Sequence, residues 1–283
     1  MIELPSDLPV FVKNLTYGDP GVGKSEFVGT YVDYMLQKKL EMKPVKVWMF
    51  DPFGKDKPYL RRGNPSGYAD LGDSTPARLV YGPDGQTLFE IEYFFDLNPA
   101  GLGKAGSPLS AYERFQASLR ETDWSQFSAV CLDSLTGFRN AVLHVNQFKV
   151  NAVSKGGAQQ DARQWYGAAT RAIETDVMST LAWAPCHTFV LAHVNAEHDE
   201  MAQGGWIYGI MAPGKLSTAI ASVFSEVYWM YVQYGEKKQG NQRDPRYLLT
   251  QHNGRFIAQT HIDAPQICTP TWEAVTQNIR TGR

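Results

Sequence analysis

Cysteine is scarce in this 283-residue chain: three residues, Cys131, Cys186 and Cys268. They are odd in number, widely spaced and form no CxxC pair, which excludes a disulfide framework. Cys131 and Cys186 sit in or beside apolar runs and read as small buried hydrophobes. A reducing cytoplasm is the expected location. Long apolar runs are missing too. No stretch approaches the roughly 20 residues that span a bilayer, so no membrane partner is expected. Met1-Ile2-Glu3-Leu4-Pro5 lacks a basic segment followed by an apolar one, and no signal peptide is expected. Neither sign of charge dominates: 27 Lys and Arg face 29 Asp and Glu, a net charge of -2. That excludes a globally basic nucleic-acid coat, so any such contact needs a local patch or oligomer geometry. His187, His193 and His198 lie near Glu197 and Asp199, but no spacing matches a zinc site. There is no Gly-x-Ser-x-Gly elbow, no repeat and no low-complexity segment.

Against these absences stands one specific motif. Gly18-Asp19-Pro20-Gly21-Val22-Gly23-Lys24-Ser25 matches G-x-x-x-x-G-K-[ST]. Glycines let backbone N–H groups approach phosphate oxygens without a side-chain clash. The helix that follows presents free N–H groups and a partial positive charge. Lys24 would reach the β- and γ-phosphates and Ser25 would coordinate Mg²⁺. The nucleotide-binding set is Gly18 to Ser25 with Glu26, and the expected cofactors are ATP and Mg²⁺. A chance match arises in roughly 1% of such chains, so an incidental glycine turn is the weaker reading. Phe127 to Leu132 is a compact apolar strand that ends at Asp133. An acid there would hold the Mg²⁺ shell with Ser25. The competing reading is a helix N-cap made by Asp133 or Ser134.

The rest of the chain alternates strands and helices. Val10 to Tyr17 reads as the first strand and Glu26 to Lys39 as a helix. Val45 to Phe50 is a second strand, ending in Asp51-Pro52-Phe53-Gly54. Residues 55–106 look like an elaboration, with strand-like pieces at Arg78 to Tyr81 and Thr87 to Phe95 about the turn Pro83-Asp84-Gly85. Helices are expected from Ser107-Pro108 to about Arg120, over Leu135 to Val150 and over Asp161 to Trp183. Ser154-Lys155-Gly156-Gly157 breaks the last two apart. Thr188 to Ala192 is a buried strand ending at His193. Ala196 to Gly214 reads as a Gly-rich loop, Lys215 to Val223 as a short helix and Glu226 to Tyr234 as a strand. Arg246 to Thr260 suggests a hairpin about Asn253-Gly254, and Thr271 to Ile279 a terminal helix. Nearly continuous apolar strands alternating with helices predict an α/β fold. A mostly parallel sheet would be covered on both faces, with an antiparallel C-terminal extension. The chain is expected to be a single domain, 1–283, with the C-terminal hairpin and helix at about 246–283.

Leu132-Asp133-Ser134-Leu135 resembles the Walker B segment of RecA-like ATPases, where Asp is followed by Ser. Thr188 to His193 resembles the sensor strand of small phage-encoded RecA-like ATPases, some of which act in recombination or single-strand annealing. Ala212-Pro213-Gly214-Lys215 before a helix, and the strand from Glu226, add to the likeness. The resemblance implies a RecA-like P-loop NTPase core and ATPase activity. His193 would be a polar sensor. Two loops, Val150 to Gln160 and Ala196 to Gly214, would face single-stranded DNA. Lys149, Lys155 and Arg163 would contact phosphates, and Trp206 and Tyr208 would stack on bases. Glu197, Asp199 and Glu200 make the second loop acidic, which opposes that role. A ring or filament of identical subunits is implied, with phage replication or recombination proteins as further partners. Arg255 of one subunit would reach its neighbour's ATP, with Arg246, Lys237 and Lys238 as competitors.

The chain departs from that pattern at one position. RecA-like ATPases carry a water-orienting glutamate two residues past an Asp after the second strand. Here Asp51 is present and Phe53 stands in the glutamate's place. Asp51 takes the role, or Glu90 or Glu92 arrives from the elaboration, or turnover is slow. The alternative function is a nucleotide-gated loader, assembly or packaging factor with weak intrinsic ATPase activity.

Overall fold

The computed structural model describes residues 11–51, 54–67, 69–70, 76–96, 109–150, 162–199, 205–234 and 244–277. The chain runs β1 (Lys13–Gly18), α1 (Lys24–Gln37), β2 (Val45–Met49), α2 (Lys57–Leu60), β3 (Asn64–Pro65), β4 (Ala69–Asp70), β5 (Pro76–Tyr81) and β6 (Thr87–Tyr93). It continues through α3 (Ala111–Glu121), β7 (Ala129–Asp133), α4 (Leu135–His144), α5 (Ala162–Ala172), β8 (His187–Asp199) and β9 (Gly205–Ile210). The last elements are α6 (Leu216–Ala219), β10 (Glu226–Val232), β11 (Arg246–Leu249), β12 (Ile267–Cys268) and α7 (Trp272–Thr276).

The strands lie in the order β12-β11-β10-β1-β8-β7-β2-β6-β5-β3, with β4 beside β5 and β9 beside β8. The six central strands, β10 to β6, are parallel. Both edges are antiparallel. This is the expected α/β class with a mostly parallel sheet. Every residue of β2 and β7 is buried, because a parallel strand covered on both faces has no solvent side. One core holds Leu15, Trp48, Leu132 and Val190 with Phe115 of α3, Phe138 of α4 and Ile173 just past α5. The opposite core holds Val47, Cys131 and Leu191 with Phe27 and Tyr31 of α1 and Trp272 of α7. Helix starts are capped locally. Ser110 and Glu113 form a capping box on α3, Ser134 caps α4 and Thr271 caps α7. No helix among the described residues is long and apolar enough to cross a membrane.

Two expectations need correction. The region Ala196 to Gly214 is not simply a loop. β8 continues to Asp199 and pairs antiparallel with β9, from Val194↔Ile210 to Asp199↔Gly205. Trp206, Ile207, Tyr208 and Ile210 supply the β-formers that the neighbouring glycines obscure. The C-terminal hairpin about Asn253-Gly254 does not form as a ladder. Asn253 Oδ1 accepts from the N–H groups of Arg255 (3.2 Å) and Phe256 (3.0 Å), an Asx-type turn that uses the donors a ladder needs. β11 instead pairs β12, at Leu248↔Cys268 and Leu249↔Ile267. The strand-like pieces expected in the elaboration do form: β5 and β6 pair antiparallel about the Pro83-Asp84-Gly85 turn, and β6 joins the sheet parallel to β2. Lys155 and the break at 154–157 lie outside the described residues, as do Phe53, Glu200, Lys237 and Lys238.

Candidate functional site

The period of two along a strand decides what reaches the carboxyl end of the sheet. In β7, Ala129 and Cys131 face the α1 side, so Asp133 faces it as well. In β8, Phe189 and Leu191 face α1, and His193 follows. In β2, Val45, Val47 and Met49 do so, and Asp51 is next in that series. In β11, Leu248 faces α1, which gives Arg246 the same side. Four strands thus deliver four polar side chains to the amino terminus of α1. They meet in a cavity of about 650 Å³, lined by Lys24, Ser25, Asp51, Asp133, His193 and Arg246 among others. Ligands of open α/β sheets lie at this end, outside the carboxyl ends of the strands.

The Gly18–Ser25 loop forms the floor. Gly18 packs against the backbone of β10, where a Cβ would collide with the Met230 carbonyl. Gly23 has φ of 111° and caps α1 without a side-chain hydrogen bond. The first-turn N–H groups of α1 therefore face the cavity with no capping acceptor, the arrangement that suits an anion. Lys24 is 8% exposed. Its ammonium donates to the carbonyls of Gly18 and Asp19, both at 2.9 Å. Burial lowers its pKa to about 8, against the opposing pull of Asp133 and Asp51.

Ser25 Oγ donates to Asp133 Oδ2 at 2.7 Å. Tyr59 of α2 donates to the same oxygen at 2.7 Å. Burial raises the Asp133 carboxyl to about 6, partly offset by the Ser25 hydrogen bond. The N-cap of α4 is Ser134, not Asp133: Ser134 Oγ accepts from Gly137 N at 3.2 Å. The same hydroxyl donates to Asp51 Oδ1 at 3.2 Å. Asp133 is thus left to the cavity, and the helix-cap reading belongs to Ser134 alone. The hydroxyl and carboxylate of Ser25 and Asp133 are hard oxygen donors side by side, a pair that fits Mg²⁺. The His193 backbone N–H donates to Thr136 Oγ1 at 3.2 Å. Burial, followed by the nearby Lys24, lowers the His193 pKa.

Glu90 and Glu92 do not reach this site. They sit on the other face of β6, where both carboxylates pair with Lys46, at 2.7 and 2.8 Å. Glu92 also accepts from Ser118. As sources of a water-orienting glutamate they are excluded by strand parity. Glu26 lines the cavity, but its carboxylate is held by Arg61 and Arg62.

Of the residues expected at a polymer surface, Trp206 is 52% exposed on β9. Tyr208 is half-buried and stacks on Phe256 at 4.8 Å. Arg163 is exposed on α5, and Lys149 lies in the π-helical turn Val145–Val150 that extends α4. Arg255 is exposed beside the Asn253 turn and does not line the cavity of its own chain. His187 packs between Tyr31 and Trp272 at the other end of β8, and no cluster among the described residues could hold a metal through His, Cys, Asp and Glu alone.

Three charged lining residues carry no motif: Lys55, Arg61 and Arg246. Tyr59, which holds Asp133, has none either. Each arrives through tertiary placement. Residues 54–62 follow β2 directly, and α2 is anchored by Asp56, which accepts from Tyr93 and pairs with Arg78 at 3.7 Å. No protein-family model matches the chain, and no curated protein matches it.

Proposed function

We propose that the chain is a RecA-like P-loop ATPase that binds ATP with Mg²⁺ and acts on single-stranded DNA in phage-type recombination or replication. The observation that carries the nucleotide reading is the 2.7 Å bond from Ser25 Oγ to Asp133 Oδ2. It joins the end of the glycine loop to an acid 108 residues away, on a strand separated from β1 only by β8. When bound, Mg²⁺ neutralises charge on the phosphate oxygens. Around it, Ser25 and Asp133 hold the ion, Lys24 and the α1 amino terminus bind the phosphates, and His193 faces them from β8. Asp51 is the carboxylate left to orient water. It is shorter than the usual glutamate and is shared with Ser134, so turnover is slow.

DNA enters through the ribbon. The β8–β9 pairing begins at Val194, one residue beyond the cavity-lining His193. A phosphate contact at His193 can therefore bias the ribbon that carries Trp206, and an exposed indole offers a base a stacking face. Subunits assemble with Arg255 directed toward a neighbour, and other phage replication or recombination proteins are the natural partners. The second reading is a nucleotide-gated loader or packaging factor. Its support is the pairing of Glu90 and Glu92 with Lys46, which leaves the cavity without a free glutamate among the described residues.

The test measures ATP turnover with and without single-stranded DNA, and DNA binding with and without ATP, at low salt. The proposal expects ATP-dependent DNA binding and DNA-stimulated turnover. Tight ATP binding with no DNA response on either axis would leave the gated-factor reading standing instead.

A further inference from the structure

Two cations line the cavity whose side chains make no hydrogen bond or ion pair to any described residue: Lys55 and Arg246. They lie on opposite flanks. Lys55 follows β2, on the flank of Asp133 and Asp51. Arg246 comes from β11, beyond β10 on the other side of β1. It is half-buried and crosses back over β10 to reach the glycine loop. A Cβ on Gly23 would stand 2.9 Å from Arg246 Nη1, so glycine at this position gives the guanidinium its room. A half-buried guanidinium with no ion-pair partner among the described residues is costly unless an anion or polar ligand completes it.

The geometry of the proposed nucleotide site fixes which part of a ligand that is. On that reading Ser25 and Asp133 would hold the metal, which would put the β- and γ-phosphates on the β7 side of the loop. A nucleotide held there directs its α-phosphate and sugar toward the opposite flank, where Arg246 stands. We propose that Arg246 binds the nucleoside-monophosphate end of the nucleotide held by its own chain. The role is one of binding in cis. It takes Arg246 out of the set of residues considered for a neighbour's site and leaves Arg255 in that set. This inference rests on the nucleotide reading.

The test compares Arg246→Ala with the wild type for three ligands in the presence of Mg²⁺: ATP, ADP and inorganic tripolyphosphate. Isothermal titration calorimetry reads the affinities, and thermal unfolding without ligand checks that the variant is folded. ATP and ADP should each bind about tenfold more weakly, while tripolyphosphate changes by less than about twofold. Arg246→Lys keeps the charge and should recover part of the loss if the variant to alanine folds poorly. Unchanged ATP and ADP affinity in a folded variant overturns the proposal. An equal loss for tripolyphosphate also overturns it, by moving Arg246 to the β,γ end. Lys24→Ala is the control for the underlying reading and should weaken all three ligands. If it leaves ATP binding intact, the nucleotide site itself is wrong, whatever Arg246 does. Mixing Arg246→Ala with Lys24→Ala subunits should restore nothing. Restoration would mean that the arginine acts in trans, against the proposal.

Discussion

The two ends of the sheet carry the same residue types in different employment. A lysine opens β1 at Lys13, and another follows its carboxyl end at Lys24. A histidine opens β8 at His187, and another stands toward its carboxyl end at His193. Burial lowers both lysines to about 8 and lowers both histidines. Their partners separate them. Lys13 donates to the carbonyls of Ala184 and Cys186 and to Thr188 Oγ1, which uses all three ammonium donors. His187 Nδ1 accepts from Val12 N at 3.1 Å, within the cage of Phe11, Tyr31 and Trp272. These groups close the amino end of the sheet. Lys24 and His193 face a cavity that four strands and a helix terminus share. A perturbed titration alone does not mark a site; convergence at the carboxyl end does.

The largest expected effect breaks the pair of lysines apart. Lys24→Ala should weaken ATP binding at least about 100-fold, or roughly 2.7 kcal/mol, by removing a charge-assisted contact to phosphate. Its fold should survive, because removing the buried ammonium also removes its desolvation cost, and one of its two acceptors, the Asp19 carbonyl, belongs to an exposed residue. Lys13→Ala should do the reverse. It leaves the carbonyls of Ala184 and Cys186 without their donor and should destabilise the protein by about 1–3 kcal/mol, with ATP affinity unchanged. Calorimetric titration and chemical denaturation of both variants check this. A folded Lys13→Ala protein that loses ATP affinity would erase the distinction between the two ends.

The histidines give a smaller effect that depends on pH. Burial lowers His187 from 6.5 to about 4, so it stays neutral in the folded chain where the unfolded chain takes up a proton. A depressed folded pKa contributes stability that is complete above about pH 6.5 and is lost as pH falls toward 4. The interval corresponds to about 3 kcal/mol as an upper limit. His187→Asn keeps an acceptor for Val12 N and cannot titrate. Its stability should fall less steeply than the wild type's between pH 7 and pH 4.5 in urea denaturation. Equal slopes would show that His187 is protonated without penalty and is not the closed core group that its contacts describe.

Much of the carboxyl end was legible from sequence because its main residues are tied to local patterns. The glycine loop needs its spacing, and Asp133 needs an apolar run before it. The parity that aims Asp51, Asp133 and His193 at α1 follows once the strands are known. Arg246 shares that parity through Leu248, but its value depends on β11 lying two strands from β1, which sequence alone does not reveal. Tyr59 depends on α2 folding back beneath Asp133. The ribbon is hidden in the sequence because glycines at 204, 205 and 209 outweigh Trp206, Ile207, Tyr208 and Ile210. Asn253-Gly254 does turn the chain, but the Asn253 side chain takes the N–H groups that a hairpin ladder would use. Glu90 and Glu92 are a failure of parity: only the pairing of β6 with β2 shows that they share a face with Lys46.

The smallest effect sharpens the comparison at a residue with no motif. Tyr59 is fully buried. Its hydroxyl donates to Asp133 Oδ2, the oxygen that also accepts from Ser25. Tyr59→Phe keeps the ring against Phe89, 5.3 Å away, and removes one hydrogen bond. A loss of about 1 kcal/mol in stability would follow from that bond alone, as it would at the amino end. A positioning role at the carboxyl end adds a second signature. Asp133 would be less well held for the metal, so half-maximal ATP turnover should need roughly fivefold more Mg²⁺, a shift of about 1 kcal/mol. Turnover measured across a Mg²⁺ series, with the denaturation midpoint beside it, separates the two. If stability falls while the Mg²⁺ requirement stays fixed, Tyr59 belongs with Lys13 and His187 as a packing group. The boundary of the site then runs between Asp133 and α2.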